Sequence, residues 1–253
     1  GTNRAYQAGI DRPDGSLARF TSVCAPLIYR GDRLPAELYG NLFLAEPAAN
    51  LVSRAILWDD GTTLRVRKAY EQGEFVASTD ERFRPVALAD GPDGTLYIVD
   101  MYRGIIQQRI DITEYLHGHI LKRKLDRSIE LGRIYRVRHE TTRRDETPAL
   151  AGFSPAQLVD ALSHPNGWRR DRAQQRLVEH SDRSVVPRLV KLVAGAADPR
   201  TRLHALWTLD GIDALDATTV TRALADASRD VRVAAIRLAE RWLGEADSSM
   251  PAA

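Results

Sequence analysis

The apolar residues change their period near residue 150. Up to about residue 140 they fall in short runs, Phe20 to Arg30, Gly40 to Ala45, Asn50 to Trp58 and Leu64 to Tyr70, separated by Gly31-Asp32 and by Asp59-Asp60-Gly61. An earlier turn signal stands at Arg12-Pro13-Asp14-Gly15. A second set of runs begins at Val86 and closes with Gly132-Arg133-Ile134-Tyr135-Arg136-Val137. Short β-prone runs between Gly and Asp turns at near-even spacing predict an all-β sandwich, barrel or propeller. Four strands between Phe20 and Tyr70 and a further set after Val86 correspond to about two four-stranded propeller blades. Within the second set, Val86 to Asp90 and Thr95 to Asp100 flank Pro92-Asp93-Gly94, which predicts an antiparallel hairpin with a tight turn. Between the hairpin and the closing strand, the sequence predicts a helix over Tyr115 to Leu125.

From Ser154 the apolar period is about 3.6. Ser154, Pro155 and Gln157 have the order of an N-cap, a first-turn proline and the third residue of a capping box. Arg170, Ala173 and Leu177 recur as Arg202, Ala205 and Leu209 and again as Arg232, Ala235 and Ala239, at spacings of 32 and 30 residues. Each recurrence follows an upstream helical stretch: Pro155 to Leu162, Val186 to Val193, and Thr218 to Ala225. Paired helices that cannot bury their faces alone must stack, so this half predicts an all-α, HEAT-like solenoid. The small alanines let paired helices approach, and Trp207 and Trp242 read as packing residues. The expected organisation is a β-propeller fragment over residues 1–140, a charged linker over 141–153, helical repeats over 154–245 and a tail over 246–253.

Composition narrows the choice little. The 253 residues are 43% hydrophobic and 28% charged, ordinary for a globular protein. Arginine supplies 32 of the 36 basic residues, but acids are interleaved with them and the net charge is +2. A nucleic-acid surface needs basic residues clustered without matching acids, and the densest run, Lys122-Arg123-Lys124, is short and followed by Asp126. Nucleic acid is therefore not an expected partner. No apolar run approaches the roughly 20 residues of a membrane helix. The single cysteine, Cys24, allows no internal disulfide and reads as a small buried hydrophobe. Beginning at Gly1 within strand-and-turn sequence, the chain reads as a piece of a longer protein.

Candidate chemistry centres on Arg82 and Arg84. On an extended segment residues i and i+2 share a face, and two guanidinium forks projecting together suit a planar anion. Asp80 and Glu81 stand beside them, so a salt-bridged strand end accounts for the same pattern. His117 and His119 would share a face only on an extended backbone. No third metal ligand accompanies them, and they read as ordinary helix or loop residues.

The run Arg82 to Gly104 (RFRPVALADGPDGTLYIVDMYRG), with Pro26 to Arg54 and the closing GRIYRV, resembles the end of the β-propeller in the quinoprotein glucose/sorbosone dehydrogenase superfamily. The whole is similar to planctomycete-type membrane-bound dehydrogenases in which such a propeller precedes HEAT-like repeats and a haem-binding CxxCH domain. In the sugar dehydrogenases a motif R-x-R-D-V-x-x-G-P-D-G-x-L-Y gives two arginines to pyrroloquinoline quinone, and Arg82 and Arg84 occupy those positions here. Pro85-Val86 replaces the motif's Asp-Val, and the segment Leu44 to Ala49 lacks the lysine those enzymes place there. The resemblance implies a periplasmic or cell-envelope protein that oxidises a sugar, alcohol or aldehyde by hydride transfer to the quinone. Calcium would polarise the cofactor, and electrons would leave to a haem domain outside this chain. The general base would lie in an earlier blade, so no catalytic residue is named. The rival expectation is a non-catalytic binding or scaffold protein with a protein partner on its helical repeats.

Overall fold

The structure, a computed structural model, describes residues 12–13, 19–127, 129–142 and 149–243. The Arg12 to Gly15 turn and the charged stretch 141–153 lie partly outside these residues, the latter over 143–148, and the tail 246–253 lies wholly outside them. The chain divides into two units, Gly1–Arg144 and Asp145–Ala253.

In the first unit the short apolar runs become strands β1 (Cys24–Ile28), β2 (Leu42–Glu46), β3 (Leu51–Asp59), β4 (Leu64–Lys68) and β5 (Val76–Ala77), all antiparallel to their neighbours. The order is β1-β2-β3-β4, with β5 also on β3. The nine residues of β3 give its outer edge two partners: β4 pairs along Ala55 to Asp59 and β5 along Leu51 and Val52. A second sheet has the order β6 (Pro85–Asp90), β7 (Leu96–Asp100), β8 (Arg133–Val137). The expected hairpin forms, with Asp90 opposite Leu96. Its turn requires glycine at position 94, where φ is +73° and an added Cβ would lie 2.0 Å from an Asp32 carboxylate oxygen.

Between β7 and β8 the chain forms a helix, α1 (Glu114–Arg123), close to the predicted span. The Thr113 hydroxyl accepts from the Leu116 amide at its start, and Lys124 ends it at φ +54°. One core of this unit gathers Tyr29, Leu34, Leu38, Phe43, Val52, Phe83, Leu96 and Ile98. Phe43 meets Tyr29 and Phe75 edge to face, with ring centroids 6.3 and 4.8 Å apart.

The second unit, in its described residues, is built of α2 (Pro155–Ala161), α3 (Gly167–His180), α4 (Val186–Gly195), α5 (Pro199–Gly211), α6 (Ala217–Leu224) and α7 (Arg229–Ala239). The Ser154–Gln157 capping box forms with both of its hydrogen bonds. Asn166 and Asp198 cap α3 and α5 from the turns that the sequence marks with Pro, Asn and Asp. Ala173, Ala205 and Ala235 are each 0% exposed, and a continuous core runs from Leu150 to Ala239.

The expected class, an all-β propeller fragment followed by an all-α HEAT-like solenoid, is therefore corrected. The protein is mixed α and β, with eight strands in two small antiparallel sheets and seven helices among the described residues. The sheets have five and three strands rather than four each, because β3 accepts an extra partner and the stretch from Pro85 to Val137 forms only β6, β7 and β8 around the expected helix. That helix also removes the clean division into a β half and an α half.

Candidate functional site

Arg82 and Arg84 immediately precede β6, with Phe83 between them buried in the core. Arg84 is 6% exposed. Its guanidinium donates to four main-chain carbonyls: Nε to Arg103 at 3.0 Å, Nη1 to Pro47 at 2.6 Å and Ala48 at 3.4 Å, and Nη2 to Gly104 at 3.0 Å. These carbonyls belong to two chain segments, one following β2 and one following β7. A buried guanidinium is tolerable only when its donors are satisfied, and here the acceptors are backbone.

The surroundings hold that geometry in place. Asp100, 1% exposed, accepts from the Arg84 amide at 2.7 Å and the Tyr102 amide at 2.8 Å. Tyr102 takes φ +49°, and its hydroxyl donates to Asp80 at 2.8 Å. Its phenol is held above its ordinary pKa, first by that hydrogen bond and then by burial. The Arg133 guanidinium lies 3.6 Å from the Tyr102 ring centre. Gly104 is required by close approach: a Cβ there would stand 2.4 Å from the Leu125 carbonyl oxygen. Asn50, 1% exposed, donates to the Phe83 carbonyl at 2.7 Å, so the backbone on either side of Arg84 is pinned.

Arg82 is turned to a different task. It is half-buried, and its Nη2 donates to the carbonyls of Lys124 at 3.1 Å and Arg123 at 3.5 Å, at the C-terminus of α1. A cation at this end of a helix satisfies orphan carbonyls and meets the negative end of the dipole. Arg123 in turn pairs with Glu81. The two arginines thus stand together in sequence, but one serves the loops after β2 and β7 and the other the end of α1.

The Leu44 to Ala49 segment contains a residue whose role sequence reasoning missed. Glu46 is 0% exposed, and its carboxylate accepts from the Ser22 amide at 3.0 and 3.2 Å and from the Ala48 amide at 3.1 Å. Burial pushes its pKa up, while these amides pull it back. Glu46 and Arg84 therefore both fasten the 46–48 turn, one through its amides and one through its carbonyls. The only sequence signal was an acid inside an otherwise apolar strand end.

Cys24 is partly buried, with Sγ 3.6 Å from the Val86 carbonyl oxygen. Burial, and then the nearby Glu46, raise its thiol pKa, the opposite of what an activated nucleophile needs. His117 and His119 lie on α1, where an i, i+2 pair diverges. The His119 ring packs edge-on against Tyr115, centroids 4.7 Å apart. Among the described residues no three His, Cys, Asp or Glu side chains come together as metal ligands. None of the described helices is long and apolar enough to cross a membrane.

Residues 3–141, which hold both sheets, α1 and the arginine pair, match a family described as a domain of unknown function, DUF7133. The chain belongs to that family. No curated protein matches the chain. The DUF7133 match ends close to where the first unit ends, so Arg82, Arg84, Glu46 and Asp100 all belong to the family's domain. The family description assigns no chemistry to any of them.

The fit of pyrroloquinoline quinone can be judged from the donors. To clamp a quinone carboxylate bidentately, Arg84 would have to release the main-chain carbonyls of Arg103, Pro47, Ala48 and Gly104 that it holds. The adjoining strand end offers Glu46, an acid, where a lysine would be wanted. These residues do not fit the cofactor, and no reaction step is derived through it.

Proposed function

We propose that this chain is a non-catalytic binding or scaffold part of a protein. The observation that carries this reading is Arg84. Its fork is spent on four backbone carbonyls of the fold, which favours a structural role for the one constellation that pointed to redox chemistry. Arg82 supports the same reading by capping α1. The DUF7133 domain would then supply a rigid body, and the helical unit a row of helix faces on which a protein partner can rest.

The competing proposal is the fragment of a quinone-dependent sugar or alcohol dehydrogenase, with electrons passing to a haem domain elsewhere. It is favoured by the order of residues from Arg82 to Tyr97 and opposed by the acceptors Arg84 already holds. Calorimetric titration of pyrroloquinoline quinone, with and without calcium, into the protein separates the two. The scaffold reading predicts no saturable heat. Saturable binding that Arg82→Ala weakens would restore the dehydrogenase reading.

A further inference from the structure

The turn between α4 and α5 and the turn between α6 and α7 are built alike, and the likeness leaves one helix face incomplete. Arg202 donates through Nη1 to the carbonyls of Ala196 at 2.6 Å and Ala197 at 3.2 Å, six and five residues back. Arg232 does the same to Asp226 at 2.7 Å and Ala227 at 3.0 Å. Arg170 reaches His164 and Pro165 in the same way, at 2.7 Å each. An arginine on the second helix of each pair therefore ties off the turn in front of it.

Arg202 also has a second contact. Its Nε and Nη2 hold the carboxylate of Asp226 at 2.8 Å each, a bidentate pair with side chains only 14% and 11% exposed. Asp226 lies in the turn that leads into α7, the helix packed on α5. This pair joins one helix pair to the next, and it comes with apolar cover: Leu206 of α5 is 0% exposed within the core that α7 shares. At the corresponding positions of α7 no such cover is present among the described residues. Arg232 repeats the turn contact, yet no carboxylate among the described residues meets its Nε and Nη2. Ile236, which corresponds to Leu206, is 59% exposed, and Val233, which corresponds to half-buried Leu203, is 56% exposed. A guanidinium fork and two large apolar side chains are thus set in the register that α5 uses to receive α7.

We propose that the outer face of α7 is the docking surface for a helix of a partner protein, one that brings a carboxylate from its leading turn to Arg232 and small apolar side chains to Val233 and Ile236. The α5–α7 junction shows what chemistry fits: a carboxylate answering the arginine fork, as Asp226 does, followed by a helix whose buried side is small, as Ala234 and Ala235 are. The proposal gives the binding reading a surface and rests on it for its purpose. The quinone titration tests that reading alone, so the two can fail separately.

The test uses the whole chain and a helical peptide copying residues 225–240, stapled on its polar side, with binding followed by fluorescence anisotropy. Saturable binding is expected. Arg232→Ala in the protein and Asp226→Asn in the peptide should each weaken it about tenfold, and the two changes together should weaken it little more than either alone. Because Arg232 also ties its own turn, Ile236→Glu serves as the second variant; that site is 59% exposed, and binding should fall at least as far. No saturation into the millimolar range, or equal affinity for wild type and Ile236→Glu, overturns the proposal. So does self-association of the chain through α7, seen by sedimentation and abolished by Ile236→Glu, without peptide binding.

Discussion

Arg84 in the first unit and Arg202 in the second both spend a guanidinium on backbone carbonyls, but at different range. Arg202 takes carbonyls five and six residues back and a carboxylate in the turn before α7, and Arg170 and Arg232 repeat the local part of that pattern. Arg84 reaches Pro47 and Gly104, 37 residues back and 20 residues forward. A local clamp leaves a spacing in the sequence, whereas a distant one leaves only an arginine whose partners have no side-chain identity. The same residue type therefore reads as structure in one unit and as chemistry in the other.

That contrast can be broken most readily at its distant end. Arg84→Ala should cost about 3–5 kcal/mol, because several buried carbonyls lose a charged donor worth about 1–3 kcal/mol each. Hydrogen exchange across β6 and β7 would read the loss, and parent-like protection there would remove Arg84 from its place as a hub. Next in size is Ala205→Leu. Overpacking a fully buried alanine between helices should cost about 1–3 kcal/mol, and an unchanged denaturation midpoint would mean that the α4–α5 seam is looser than its burial implies.

The Arg202–Asp226 pair should show its contribution through pH. Hydrogen bonding to Arg202 holds the Asp226 carboxyl below its ordinary pKa. A depressed folded-state value means that the stabilisation is fully present above the unfolded value near pH 3.9 and is lost as pH falls through the folded value. Asp226→Asn should flatten this acid limb of the stability curve; an acid limb identical to wild type would show that the pair does not carry it. The smallest effect belongs to Asp160→Ala, which removes a pair with Arg188 whose side chains are 67% and 47% exposed. A change of more than about 1 kcal/mol there would contradict the view that surface pairs in the helical unit contribute little.

How much could be seen in advance follows the same division. Pro92-Asp93-Gly94 announced the hairpin because a turn's chemistry is local, and Ser154 with Gln157 announced the start of α2 for the same reason. The buried alanines at 173, 205 and 235 were visible as a recurrence. The two-residue strand β5 was not, since its pairing with Leu51 and Val52 is decided by the length of β3 rather than by its own sequence. That extra strand, and only three strands formed between Pro85 and Val137, turned an expected pair of four-stranded blades into sheets of five and three strands. At the site, the sequence offers Arg82 and Arg84 as cofactor ligands, but the acceptors they hold in the structure are carbonyls, and carbonyls have no letter in a sequence. Glu46 and Asp100 went unnoticed because they too act on backbone amides.

The central claim, that the Arg84 fork serves the fold, is tested most directly on its own Nε–H. In a nitrogen-15 labelled sample this proton donates to the Arg103 carbonyl at 3.0 Å in a side chain that is 6% exposed, so it should exchange slowly with solvent. Its shift should stay unchanged as pyrroloquinoline quinone is added with calcium. An Arg84 Nε–H that exchanges freely, or one whose shift moves saturably with the quinone, would contradict the account.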